Sequence, residues 1–279
     1  MIIALIRLMR LYYTVPIAAG LPVIIAYVTA GNIRPIGADV LLASFSLGCV
    51  IAATYVLNDV CDVTADRINR PRHVLVGACV LRRTAASCSI CLFAVGMIFA
   101  AACNRHFFLV MAAVCMLAVF YDLFSKRIGL FKVILVALLM TSLYPLALAL
   151  AAPADSPRLN ALYIFPLWLF LSALGYEMLK DIRDADGDAA VSPRSIARHS
   201  RKPGFLAAAR VIALFAGALS TLPALLGCCG GIYLGTSLVA VGLMIASTFS
   251  PPARAIPLIY VQVFLVTVGS LVDLLVLTP

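Results

Sequence analysis

Charged side chains are scarce in this sequence, and its polar runs are short. Only 12% of the 279 residues are Asp, Glu, Lys or Arg, whereas 64% are hydrophobic. A soluble domain is typically about half apolar and about a quarter charged. The chain also lacks an acidic tract, a low-complexity tail or a polar stretch long enough for a separate soluble domain. These shortages exclude a soluble enzyme and predict a polytopic membrane protein.

The basic excess and the cysteines have explanations that fit a membrane protein. A net charge of +9 indicates cytoplasmic loops rather than a nucleic-acid site in such a chain, and we expect no nucleic-acid partner. The nine cysteines lie mostly in apolar runs, where Cys behaves as a small hydrophobe. Cys88 and Cys91 have a CxxC spacing without a second pair or a nearby His, so no metal site is expected there.

Prolines and charge clusters divide the apolar sequence into nine candidate membrane helices. Each run approaches the roughly 20 residues that a helix needs to span a bilayer, and none alternates as barrel strands do. The first run is longer than the core of a signal peptide, so we interpret it as a span. We predict an all-α membrane protein, with residues 1–279 forming a single domain. The predicted spans are residues 11–30, 39–57, 84–103, 107–124, 129–151, 160–179, 205–226, 228–249 and 256–277.

The loops between these spans carry their charges unevenly. All of the 21 basic residues except Arg34, Arg105 and Arg158 fall in the N-terminal segment or in loops that share its side of the membrane. The positive-inside rule makes that side cytoplasmic. Nine of the twelve acidic residues lie there too. We expect a multi-pass membrane protein, in the cell membrane if the source is a prokaryote, with its N-terminus and active site facing the cytoplasm.

Two aspartate clusters repeat one spacing at the cytoplasmic ends of the second and sixth spans. The first is Asn58-Asp59-Val-Cys-Asp62-Val-Thr-Ala-Asp66, and the second is Lys180-Asp181-Ile-Arg-Asp184-Ala-Asp-Gly187-Asp188. In each, three aspartates occupy positions i, i+3 and i+7, which lie within roughly 60° of one another on a helix. We therefore predict that the motifs at 58–66 and 180–188 face each other across a cavity.

Converging carboxylates repel one another unless cations lie between them. Oxygen ligands suit Mg²⁺, which binds proteins through one or two carboxylates together with substrate phosphates. Basic side chains nearby would bind phosphate oxygens. These patterns predict a site for Mg²⁺ and a polyphosphate rather than a solvated loop of paired charges. The predicted metal ligands are Asn58, Asp59, Asp62, Asp66, Asp181, Asp184 and Asp188, and the predicted phosphate contacts are Arg70, Arg72, Lys126, Arg127 and Lys180.

The two motifs resemble those of the UbiA superfamily of intramembrane prenyltransferases. The first has the form NDxxDxxxD and continues as Arg67-Ile-Asn69-Arg70-Pro71, the second contains DxxxD, and residues 121–138 resemble the YxxxxKRxG region. The likeness covers nearly the whole chain. It implies nine helices around a central cavity, an isoprenyl diphosphate donor, two Mg²⁺ ions and a hydrophobic acceptor taken from the bilayer.

The chain departs from the family pattern just after the first motif. The usual NRPxRPxxxG is one residue shorter here, reading Arg72-His73-Val-Leu-Val-Gly77 after Pro71, and lacks the second proline. Position 132, often Asn in related sequences, is Lys. His73 is a candidate by position alone, because none of the three histidines has a partner at ligand spacing.

The resemblance implies that a metal-neutralised diphosphate leaves and that the acceptor attacks the allylic carbocation. Such a cation needs a π-rich lining that excludes water. Asp66 and Asp181, with Tyr121, are the predicted catalytic residues, Asp122 is an alternative base, and Tyr176 is expected to contact substrate. The candidate lining aromatics are Tyr12, Tyr13, Tyr55, Phe120, Tyr121, Phe124 and Tyr176.

The second motif also bears on the acceptor. Its KDxxDxxGD form is similar to that of archaeal-type digeranylgeranylglyceryl phosphate synthases and of the homogentisate and chlorophyll branches. It favours transfer of geranylgeranyl to geranylgeranylglyceryl phosphate in ether-lipid synthesis, with C-prenylation of 4-hydroxybenzoate, homogentisate or a quinone precursor as the alternative. The contiguous DxxDGxxAR pattern of CDP-alcohol phosphotransferases is missing, and a transporter would hold its acids near the bilayer midplane.

Overall fold

A computed structural model describes residues 2–29, 37–125, 127–155, 157–191 and 202–276, and these form helices and turns without a strand. The helices are α1 (Ile2–Leu8), α2 (Leu11–Val28), α3 (Ala38–Asn69), α4 (Arg82–Cys103), α5 (Arg105–Phe124), α6 (Phe131–Thr141), α7 (Leu143–Leu150), α8 (Ala161–Arg183), α9 (Ala185–Val191), α10 (Pro203–Leu219), α11 (Leu222–Leu225), α12 (Gly231–Phe249) and α13 (Pro252–Val276). A 3₁₀ turn, Pro157–Asn160, precedes α8.

Among the described residues, nine helical stretches are long and apolar enough to cross a membrane. They match the nine predicted spans, with α6 and α7 forming one and α10 and α11 another. The all-α, nine-span prediction is confirmed. Helix α3 is longer than its predicted span, which ended at residue 57, because no proline follows until Pro71. That proline disfavours a helical conformation at Arg70, where α3 has ended.

The structure forms two compact units. The first takes in Met1–Leu21, Ile36–Lys132 and Asp184–Arg198. Within it, α3 packs against α1, α4, α5 and α9. The last turns of α3 therefore have neighbours from both ends of this unit's sequence, and these turns carry the first aspartate motif.

Small residues bring α3 and α4 close together. The hydroxyl of Ser46 donates to the Gly96 carbonyl at 2.7 Å, and that of Ser89 donates to the Ala53 carbonyl at 2.8 Å. A side chain at Gly96 would collide with α3. Close contacts between small residues and interhelical hydrogen bonds are what hold helices together in lipid, so α4 fixes α3 along its length.

The second unit takes in Pro22–Pro35, Val133–Arg183 and His199–Pro279. Helix α8 packs against α10 and α13, and α12 packs against α10 and α13. Gly175 lets α8 approach α10, since a Cβ there would lie 3.3 Å from the carbonyl oxygen of Ala209. This unit holds α8, which carries the first part of the second aspartate motif.

A buried carboxylate from α13 accepts hydrogen bonds at the start of helix α12. The carboxylate of Asp273, fully buried on α13, accepts hydrogen bonds from the backbone N–H groups of Gly230 at 2.7 Å and Tyr233 at 3.3 Å. The first N–H groups of a helix lack partners within the helix and carry partial positive charge. Asp273 thus has a structural role in the second unit.

Candidate active site

The first aspartate motif lies on the last turns of α3. Asp59 and Asp66 are 1% and 4% exposed, and Asp62 is half-buried. Because α3 is continuous through all three aspartates, their i, i+3, i+7 spacing places them on one side of the helix, as predicted. Asn58 donates from its amide to Asp122 on α5 at 3.2 Å, which links the start of the motif to a buried acid on a neighbouring helix.

The second motif does not form one continuous helix, and that prediction is wrong. Helix α8 ends at Arg183 and α9 begins at Ala185. The carbonyl of Asp184 accepts the N–H of Asp188 at 3.2 Å, as the residue before a helix does. Asp favours this capping position over a helix interior, so the chain starts a new helix there. Asp181 belongs to the second unit, whereas Asp184 and Asp188 belong to the first.

Asn69 joins α9 to the end of α3. Its amide nitrogen donates to the Asp184 carbonyl, and its amide oxygen accepts the Gly187 N–H, both at 3.0 Å. A Cβ at position 187 would collide with the Asn69 amide, so glycine alone fits this contact. The Asn69 bridge therefore holds the second half of the second motif against the first motif.

Two basic side chains pair with acids of both motifs in the first unit. Arg70 lies with Nε 3.7 Å from Asp66 Oδ1 and Nη2 3.7 Å from Asp184 Oδ2, with a third of its side chain exposed. Lys132 lies with Nζ 3.7 Å from Asp188 Oδ2, and both groups are buried. Arg70 thus connects carboxylates of the two motifs and still faces the surface.

A cluster of Asp59, Asp66 and His73, here called the first-motif centre, has the composition of a metal site. The ring of His73 places Nε2 3.3 Å from Asp59 Oδ2 and Nδ1 3.8 Å from Asp66 Oδ2. One ligand atom from each residue lies within 4.8 Å of the others. The Oδ2 atoms of both aspartates are buried and accept no hydrogen bond from the described residues. Buried oxygens of this kind are positions for an ordered water or a bound cation.

Arg10 holds the outer side of Asp59. It donates a short hydrogen bond to Asp59 Oδ1 and lies 5.0 Å from the ring centre of Tyr55. Burial disfavours the charge on Arg10, but the Asp59 carboxylate and the nearby Tyr55 and Tyr12 raise its pKa. Rings of Tyr12 and Tyr13 lie 4.4 Å apart, and those of Tyr13 and Tyr55 lie 6.2 Å apart. Three predicted lining aromatics therefore group around this arginine.

Three of the predicted site residues, Tyr176, Lys180 and Asp181, lie on α8 in the second unit. Asp181 is buried, Tyr176 is half-buried, and Lys180 donates to both carboxylate oxygens of Glu177 at 3.1 and 3.2 Å. Lys180 therefore has a partner on its own helix.

The remaining predicted residues differ in exposure. Tyr121 and Asp122 are buried on α5, while Arg72 and Arg127 are exposed in loops. Lys126 lies outside the described residues.

The profile of the UbiA prenyltransferase family matches residues 19–251. This chain belongs to the UbiA prenyltransferase family. It is 30% identical over 211 residues to the digeranylgeranylglyceryl phosphate synthase of Metallosphaera sedula, covering 76% of this chain and 74% of that one. It is 30% identical over 230 residues to the synthase of the same name from Methanopyrus kandleri, covering 82% of both chains.

Solved structures share the UbiA fold. A UbiA homolog from Aeropyrum pernix K1 matches with a TM-score of 0.76 at 18% identity, covering 96% of this chain and 98% of that one. A UbiA homolog from Archaeoglobus fulgidus bound to GPP and Mg²⁺ matches with a TM-score of 0.69 at 17% identity, covering 98% of this chain and 100% of that one. The recognition from motifs is confirmed, and the protein is a multi-pass membrane prenyltransferase.

Residues at this UbiA site that the motif analysis did not predict lie outside the aspartate spacing. Arg10 is separated from Asp59 by 49 positions and had been explained by the positive-inside rule alone. Asn69 is the last residue of α3 and lies outside the aspartate spacing, whereas His73, a candidate by position alone, follows the helix, where helical spacing no longer applies. The Asn-Arg-Pro sequence was the available signal, because Pro71 requires the chain to turn there.

Proposed function

We propose that this prenyltransferase moves a geranylgeranyl group from its diphosphate to geranylgeranylglyceryl phosphate, forming an ether bond of a membrane lipid. The allylic carbon–oxygen bond of the donor breaks, the acceptor hydroxyl oxygen bonds to that carbon, diphosphate leaves and the hydroxyl proton passes to a base. The Asn69 bridge is the observation that best supports the proposal, because it holds α9, which carries Asp188, against the end of α3, which carries Asp66. The similarity to the digeranylgeranylglyceryl phosphate synthases of Metallosphaera sedula and Methanopyrus kandleri supports this acceptor.

The first-motif centre fits a divalent cation. Buried Oδ2 atoms of Asp59 and Asp66 without hydrogen-bond donors provide the carboxylate oxygens that Mg²⁺ prefers. Bound Mg²⁺ would neutralise diphosphate charge and make it a better leaving group. The Archaeoglobus fulgidus homolog bound to GPP and Mg²⁺ supports this choice. We assign one ion to Asn58, Asp59, Asp62 and Asp66, and a second to Asp181, Asp184 and Asp188.

Basic residues beside the carboxylates would hold the diphosphate. Arg70 is the best supported, because its guanidinium faces acids of both motifs and remains partly exposed. A planar guanidinium binds two phosphate oxygens at once. Lys132 supplies a second positively charged side chain, whose ammonium group lies 3.7 Å from Asp188 Oδ2. The exposed Arg72 and Arg127, together with Lys126 and Lys180, complete the proposed phosphate contacts.

The proton and the carbocation require different groups. Asp66 and Asp181 are the proposed proton acceptors, since both carboxylates are buried. Tyr121 and Tyr176 are proposed to line the path of the cation, which an aromatic face stabilises. The distribution of basic residues supports a cytoplasmic N-terminus and a cytoplasmic diphosphate site.

The proposal is tested by product identification. The protein in liposomes receives labelled geranylgeranyl diphosphate and Mg²⁺, with geranylgeranylglyceryl phosphate or 4-hydroxybenzoate in parallel, and products are identified by mass. We expect EDTA-sensitive label on the glyceryl phosphate. Label only on the aromatic acid would replace the proposed acceptor, and transfer to neither would contradict the proposal.

A matched pair of variants tests the site itself. Asp66→Asn should lower turnover by about 100-fold or more, as loss of a charge-stabilising group does. Asp39→Asn changes an exposed acid at the opposite end of the same helix and should keep wild-type turnover. Equal turnover in the two variants would refute the assignment of Asp66.

A further inference from the structure

His73 lies in the first-motif centre because the chain reverses after α3. The helix ends before Pro71, and the N–H of His73 donates to the Arg70 carbonyl at 2.9 Å. The His73 carbonyl in turn accepts the Gly77 N–H at 2.9 Å. Two successive turns therefore direct the imidazole back over the end of α3.

The carboxylates around this ring are oriented by arginines on their other side. Arg10 binds Oδ1 of Asp59, and Arg70 lies 3.7 Å from Oδ1 of Asp66. The Oδ2 atoms are left facing His73 at 3.3 and 3.8 Å. The inner surface of the centre thus presents two carboxylate oxygens and an imidazole, all largely buried.

An imidazole changes which ion such a centre prefers. Carboxylate oxygens suit both Mg²⁺ and Mn²⁺, whereas an imidazole nitrogen adds affinity for first-row transition ions, among which Mn²⁺ binds most weakly. When one ring nitrogen of a histidine binds a metal, the other usually meets a carboxylate or carbonyl. At His73 each ring nitrogen has a carboxylate oxygen within 3.8 Å, so either nitrogen could bind while the other keeps an acceptor nearby.

We propose that His73 is a nitrogen ligand of the first-motif centre and raises its affinity for first-row transition ions, Mn²⁺ included, relative to Mg²⁺. This inference rests on the metal site of the proposed function. It extends that function, because His73, a residue outside the aspartate motif, would affect which ion neutralises the diphosphate.

Mn²⁺ binding to the purified protein in lipid nanodiscs tests the preference. The free Mn²⁺ signal in electron paramagnetic resonance measures binding of the metal alone, and competition with Mg²⁺ gives the selectivity. We expect His73→Asn to weaken Mn²⁺ binding by about 10-fold or more, because loss of even an outer-shell partner of a metal ligand costs about 10- to 100-fold, with a much smaller change for Mg²⁺. His106→Asn, at an exposed histidine on α5, is the matched control and should bind as wild type does.

Nitrogen coupling to bound Mn²⁺ in pulsed spectra is the second readout, and its presence in the wild-type protein can be measured whether or not a His73 variant folds. A directly bound imidazole in the wild-type protein gives this coupling, which should persist in His106→Asn and disappear in His73→Asn and His73→Gln. Bound Mn²⁺ without nitrogen coupling, or unchanged selectivity in both folded His73 variants, would overturn the inference. EDTA-sensitive prenyl transfer would then leave the proposed function standing, whereas transfer that needs no metal would overturn both.

Discussion

Removing the Asn69 side chain should release α9 from α3. Asn69→Ala deletes the two 3.0 Å hydrogen bonds to the Asp184 carbonyl and the Gly187 N–H. Helix α9 has only seven residues, and helices this short are not stable by themselves in water. Its position therefore depends on packing against α3 and on the Asn69 bridge.

The size of the effect follows from the two lost bonds. Each is worth about 0.5–1.5 kcal/mol net, so Asn69→Ala should weaken the docking of α9 by about 1–3 kcal/mol. A change of that size alters an equilibrium by about 5- to 150-fold. Because α9 carries Asp188, the variant should need more Mg²⁺ for half-maximal prenyl transfer, with its nine spans intact.

Two measurements check this prediction together. Hydrogen exchange of the α9 amides should accelerate in Asn69→Ala, and the Mg²⁺ dependence of transfer should shift to higher concentration. Asn104→Ala is the control, because Asn104 caps α5 by accepting the Phe107 N–H at 2.8 Å. It should lose about 1 kcal/mol of stability without affecting α9. Unchanged α9 exchange together with a wild-type Mg²⁺ requirement in Asn69→Ala would refute the bridge.

Two further substitutions test contacts at fixed positions. Gly187→Ala should lower turnover and speed hydrogen exchange of the α9 amides, because the added Cβ would collide with the Asn69 amide. Gly242→Ala is the control and should match wild type, because a Cβ at position 242 meets open space. Equal turnover in the two variants would contradict the close contact at Gly187. Asp273→Ala leaves two N–H groups at the start of α12 without their acceptor and should lower stability by about 1–3 kcal/mol. Thermal unfolding in detergent measures that loss, and an unchanged midpoint would show that the buried cap is not needed.

Local patterns predicted what depends on local chemistry. Apolar run length gave all nine spans, and helical spacing gave the shared face of Asp59 and Asp66. The same spacing failed in the second motif, because Asp184 can begin a helix as well as continue one and tertiary contact with Asn69 decides between them. Helical spacing could not predict the position of His73, because the chain leaves the helix and turns at Pro71. The sidedness of the membrane and the single-domain assignment stay predictions.

Arg10 indicates how the fold and the site depend on each other. It joins α1 to α2 with a φ of 47°, a left-handed conformation that costs roughly 1–2 kcal/mol for a residue with a side chain. Its charged hydrogen bond to Asp59, of a kind worth about 1.5–3 kcal/mol, acts against that cost and against the desolvation of the buried guanidinium. A glycine would adopt the corner more easily but could not bind the carboxylate. The corner between α1 and α2 therefore places a cation on Asp59 Oδ1, while Asp59 Oδ2 faces His73 in the first-motif centre.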